Sequence, residues 1–144
     1  MSNKKFKKGI IAGSFDLIHP GYIRMFKEAK QICETVIVAL QDDPTIDRPQ
    51  KCKPVQTWEE REEILSSLKF IDEIVRYSTE KELFDLLSEL EYDVRILGSD
   101  YHGKSFNGDV LEKSVYFCNR DHEYSLTKLK KKICSSMKIK EGDV

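Results

Sequence analysis

The chain has 144 residues, 40% hydrophobic and 34% charged, with a formal net charge of -1. That length suits one domain with its own core, and the charge balance excludes a global basic field for holding nucleic acid. No apolar run approaches the roughly 18 residues of a membrane span, and the apolar stretch behind the basic start MSNKKFKK stops at Asp16, too soon for a secretory signal.

Strands and helices alternate along the chain. GIIAG (9–13) is a short apolar run and a candidate buried strand; Tyr22, Ile23, Phe26, Ala29 and Ile32 then recur at helical spacing. TVIVAL (35–40) is β-branched and continuous, as a parallel strand covered on both faces requires. The polar stretch 41–54 carries three prolines and no period, and reads as a long loop. Thr57 precedes Glu60 by three, a capping-box spacing, and Trp58, Leu65 and Leu68 give that helix an apolar side. EIVRY (73–77) reads as a strand. Thr79 with Glu82 repeats the capping spacing ahead of Leu83, Phe84, Leu87 and Leu90. DVRILG (93–98) and SVYF (114–117) are two more strands. Ser125 can cap a last helix with an apolar stripe of Leu126, Leu129, Ile133 and Met137, and residues 138–144 are expected as a frayed tail after a domain of residues 1–137.

This order predicts an α/β fold: a Rossmann-like, doubly wound, five-stranded parallel sheet in a single domain. Ligands of such sheets bind beyond the carboxyl ends of the strands, where the strand order reverses. The four cysteines (33, 52, 118 and 134) form no CxxC pair and match no closed zinc pattern. They read as free thiols of a cytoplasmic protein, with no metal site.

The stretch GSFDLIHPGY (13–22) carries the chemistry. Gly13 and Ser14 end the first strand. Pro20 sits near the first helical position, where its missing N–H costs nothing. The helix start points free N–H groups and a partial positive charge over the sheet edge, an arrangement that favours an anion, typically phosphate. His19 and Tyr22, three apart, can face the same place.

These residues resemble the GxFDxxHxGH signature of the nucleotidyltransferase superfamily that includes the cytidylyltransferases. The resemblance is strongest to the glycerol-3-phosphate cytidylyltransferase family and covers about residues 8 to 134. GSDYHGK (98–104) resembles that family's segment after the fourth strand. RDHEYSLTKL (120–129) aligns with RTEGISTTKI, matching at Arg120, Ser125, Thr127 and Lys128. WEEREEIL (58–65) resembles its arginine helix, with Arg61 as the match.

The resemblance implies attack by a phosphate monoester on the α-phosphorus of a nucleoside triphosphate, with pyrophosphate released and magnesium bridging the phosphates. Such a reaction asks for positioning and positive potential more than for proton transfer. The implied catalytic residues are His19, Lys53 and Arg120. Gly13, Ser14, Phe15, Tyr22, Gly98, Asp100, Ser125 and Thr127 would surround the nucleotide. Arg61 is a substrate-side candidate against a solvated helix charge. Arg120 favours CTP and a small phosphorylated alcohol, while KPV (53–55) resembles the RPV of heptose-phosphate adenylyltransferases and favours ATP with a sugar phosphate. The resemblance also implies a homodimer. Two positions depart from it: Tyr22 stands where the family has a second histidine, and Glu123 replaces a glycine beside His122. They leave open a nucleotide-binding homologue with little turnover.

Overall fold

A computed structural model describes residues 3–142. The elements follow in the predicted order: β1 (Phe6–Gly13), α1 (Pro20–Ile32), β2 (Cys33–Gln41), α2 (Trp58–Ser66), β3 (Glu73–Tyr77), α3 (Glu80–Glu89), β4 (Val94–Gly98), β5 (Ser114–Cys118) and α4 (Leu126–Gly142). All strand pairings are parallel, in the order β3-β2-β1-β4-β5. The chain winds from β1 outward through β2 to β3, then crosses back to place β4 on the other side of β1. The reversal falls between β1 and β4, so Gly13 and Gly98 end neighbouring strands at the carboxyl edge.

Each face of the sheet buries its own cluster. Phe26 and Ala29 of α1 and Leu65 of α2 pack with Ile11, Val36, Val38 and Leu40 on one face. Leu83 and Leu87 of α3 pack with Ile10, Ile37, Ala39 and Tyr77 on the other. β2 is buried almost throughout, as its continuous β-branched run requires. At the start of α2 both bonds of the capping box form: Glu60 N–H donates to Thr57 Oγ1 at 3.1 Å, and Thr57 N–H donates to Glu60 Oε1 at 2.8 Å. Thr79 caps α3 through the N–H of Glu82 at 3.1 Å.

Two expectations change at the carboxyl end. α4 runs through Gly142, into the stretch read as a tail; residues 143 and 144 lie outside the described residues. Its apolar stripe is not core, since Ile133 and Met137 are exposed. A helical period shows that a face exists and says nothing about what covers it. Among the described residues no helix is long and apolar enough to cross a membrane. Cys33 and Cys118 are buried free thiols, and Cys52 and Cys134 are exposed ones.

Candidate functional site

The turn after β1 is built against local preference. Phe15 and Leu17 both hold positive φ, 47° and 52°, which non-glycine residues rarely adopt. Long-range contacts hold them there. The Phe15 ring meets Tyr22 and Phe26 edge-on, each at 5.3 Å between centroids. Leu17 N–H donates to Gln56 Oε1 at 3.2 Å. Between them Asp16 is 1% exposed. Its carboxylate accepts from Val55 N–H at 2.7 Å and Gln56 N–H at 3.0 Å, with Lys130 Nζ 3.7 Å away. Asp16 therefore moors the loop before α2 to the turn. Asp16→Asn turns an NH₂ toward one of those donors. An expected loss of about 1–3 kcal/mol follows from the orphaned N–H, read as a lower urea midpoint with an unchanged m-value.

Arg61 completes this frame and corrects the sequence reading. It is 2% exposed, so it is not a solvated charge. Nor does it stand ready for a substrate. Nη1 donates to Ser14 O and Gln41 O, both at 2.7 Å, and Nη2 to Asp42 O at 2.6 Å. Nε–H is shared between Gln56 O and Thr57 O, each at 3.2 Å. One guanidinium thus ties the ends of β1 and β2 to the start of α2.

His19 is the N-cap of α1. Its Nδ1 accepts from Gly21 N–H at 3.1 Å, so the neutral ring carries its proton on Nε2. The ring is 9% exposed and stacks on Tyr22 at 4.1 Å between centroids. Burial first, then the charges of His122 and Arg120, hold its pKa below the ordinary imidazole value. Tyr22 is held above the ordinary phenol range, chiefly by burial, so its hydroxyl is neutral.

Two adjoining hollows open over the carboxyl edge. The larger, about 390 Å³, runs from Gly13, Ser14 and Phe15 across to Gly98, Asp100 and Tyr101. The smaller, about 200 Å³, lies between the amino ends of α1 and α4 and is lined by His19, Gly21, His122, Ser125 and Thr127. Tyr22, Met25 and Arg120 line both. Arg120 Nη1 stands 3.6 Å from Asp100 Oδ2. Gly98 makes room for this pair: a Cβ there would lie 2.5 Å from Asp100 Oδ1 and 2.8 Å from Arg120 Cδ. Ser125 Oγ accepts from Lys128 N–H at 3.1 Å, capping α4. Two helix amino ends, an imidazole N–H and a guanidinium thus surround one space, which suits a multiply charged anion.

Most of the predicted residues line these hollows. Lys53 does not: it is exposed and borders a separate hollow with Asp43, Trp58 and Arg76. Arg48 and Lys51 of the same loop line the larger hollow instead. Glu123 is exposed and lines neither hollow. His122 gained a place the sequence only hinted at. A Cβ on Gly21 would lie 2.8 Å from Cε1 of both His122 and His19, so the two rings flank the same point. Among the described residues no cluster of three His, Cys, Asp or Glu side chains could hold a metal ion.

Comparison with known proteins places the chain in a family. Residues 10–142 match the model of the "Cytidylyltransferase-like" family. The chain is 32% identical to glycerol-3-phosphate cytidylyltransferase of Bacillus subtilis, over 88% of this chain and 97% of that protein. It is 33% identical to FAD synthase of Archaeoglobus fulgidus, over 90% of this chain and 91% of that one. It also matches the bifunctional protein HldE of Hyphomonas neptunium at 32% identity, but spans only 22% of that protein's length. Among solved structures, a lipopolysaccharide core biosynthesis protein from Thermoplasma volcanium superposes with a TM-score of 0.63 at 24% identity, covering 83% of this chain and 99% of that one. That likeness speaks to the fold alone.

Proposed function

Because the chain belongs to the cytidylyltransferase-like family and is a nucleotidyltransferase, we propose that it transfers CMP from CTP to the phosphate of a small phosphorylated alcohol. A phosphate oxygen of the acceptor bonds to the α-phosphorus, the bond from that phosphorus to the β-phosphate bridge breaks, and pyrophosphate leaves. Magnesium would enter with the nucleotide as part of the substrate and would neutralise some of its charge. The observation that carries this reading is the smaller hollow, where the amino ends of α1 and α4 meet beside Arg120.

The acceptor needs no general base. A phosphate monoester has a second pKa near 6 and is already mostly dianionic at pH 7. What must be overcome is repulsion between two anions, which fixed donors and cations relieve. In this reading His19 Nε2–H meets the α-phosphate, and Ser125 and Thr127 hold the β,γ-phosphates at the start of α4. Ser14 and Phe15 border the phosphates from β1. Arg120 spans from the phosphates toward the base, and Gly98 and Asp100 border the ribose. Tyr22 does not replace a cationic histidine. It supports the His19 ring by stacking, and His122 supplies the second imidazole from the segment before α4. His122→Ala is expected to lower kcat about 100-fold with an unchanged thermal midpoint.

A second reading, ATP as donor with a sugar phosphate or similar acceptor, has a specific support in the similarity to an FAD synthase. A pyrophosphate-release screen of CTP and ATP against polyol and sugar phosphates decides between them. Release with CTP is the expected result. Release with ATP alone selects the second reading, and measurable nucleotide binding without release from any pair overturns both.

A further inference from the structure

A buried arginine is the second residue of β4. Arg95 is 6% exposed, lies in register with Ile10 on the sheet face that packs α3, and lines the larger hollow. A parallel strand covered on both faces has no ordinary use for a charge. Its Nη1 donates to Asn107 O at 2.7 Å, and the Phe106 ring lies 5.7 Å from the guanidinium carbon. Nε has no accessible surface and no acceptor. No carboxylate of the described residues forms an ion pair with Arg95. Glu80, which lines the same hollow, is engaged elsewhere: Asn107 Nδ2 donates to Glu80 Oε2 at 2.8 Å, and Arg48 Nη2 sits 3.4 Å from Glu80 Oε1. A buried cation without a counterion is costly unless something arrives to pair with it. Arg48 and Lys51 line the same hollow and add to its positive potential. Tyr77, Tyr101 and Phe106 wall it with aromatic surface.

We propose that the part of the hollow beside Arg95 receives the acceptor, and that Arg95 holds an anionic oxygen group on it. The inference rests on the nucleotidyl-transfer reading and adds the chemistry of the second substrate. The nucleotide fills the space from Ser14 and His19 to Arg120. The lobe beside Arg95 is then left for a molecule that presents an oxyanion toward β4 and reaches the sheet edge with its reacting phosphate. That oxyanion is either the phosphate itself or a carboxylate; a guanidinium fork pairs with both.

The test follows the Nε–H resonance of Arg95 in the wild-type protein, assigned by its loss in Arg95→Lys. Inorganic phosphate, glycerol 3-phosphate, glycerate and glycerol are titrated separately at millimolar concentrations. A shift with phosphate and glycerol 3-phosphate supports the proposal with phosphate as the group held. A shift with glycerate alone supports it with a carboxylate. No shift with any anion, or an equal shift with glycerol, overturns it. A shift produced by CTP alone also overturns it, because the nucleotide would then occupy the lobe. In parallel, calorimetry on Arg95→Met is expected to show CTP affinity within about twofold of wild type and phosphate binding weakened at least about tenfold. Failure of the wild-type protein to bind CTP or ATP would instead count against the nucleotidyl-transfer reading, whatever the Arg95 resonance does.

Discussion

Arg61→Met is expected to cost about 3–5 kcal/mol of stability, because it strands three strand-end carbonyls and the start of α2 in a closed interior. Whole domains of this kind hold about 5–15 kcal/mol, so the thermal midpoint should fall by roughly 10 °C or more. The loss is large because the guanidinium binds Ser14 O, Gln41 O and Asp42 O at once. Arg61→Lys should recover only a fraction, since an ammonium lacks the planar fork that reaches several acceptors together. Thermal and urea unfolding measure this directly. A substrate-binding arginine would behave otherwise: the midpoint would hold, and the KM for one substrate would rise.

The second large effect falls on turnover. His19→Ala is expected to reduce kcat at least about 100- to 1000-fold, the usual consequence of deleting a fixed donor to developing charge. It should also cost stability, because the same ring caps α1 through Nδ1. Loss of an N-cap costs about 1 kcal/mol, some 3 °C for a chain of this size. His19→Asn separates the two roles. Asparagine is a good N-cap but its short amide does not reach where Nε2 lies, so stability should return and turnover should not. The acid limb has a defined sign. The native pKa of His19 lies below its unfolded value, so the unfolded chain takes the proton more readily. The stability associated with neutral His19 is complete above about pH 6.5 and is lost as the pH falls through the native value. His19→Asn should flatten that part of the stability–pH profile.

Much of this was readable from the chain because the signals are local. Alternating apolar runs gave the five strands and their order, and the Thr57–Glu60 and Thr79–Glu82 spacings located two helix starts to the residue. The motif around His19 pointed to the sheet edge over which the two hollows open. What stayed hidden depends on partners distant in sequence. Arg61 sits among four glutamates and looks like surface, yet its acceptors come from 47, 20 and 19 residues away. Lys53 lies in a loop without period, so nothing local fixes which neighbour faces the cleft. The absence of a second histidine at Tyr22 is plain in the sequence. The approach of His122 to the same point is tertiary, made possible by Gly21. Arg95 did leave a trace, the one charge within the strand VRILG, which only its burial without an ion-pair partner turns into a functional clue.

The most direct measurement is a crystal structure with magnesium and a CTP analogue whose α,β-bridge resists cleavage. The triphosphate should thread past Arg120, with its α-phosphate at His19 and its β,γ end at Ser125 and Thr127. Density for the phosphates in the hollow around Lys53 and Trp58, or His19 and Ser125 on opposite sides of a nucleotide that touches neither, would contradict the account.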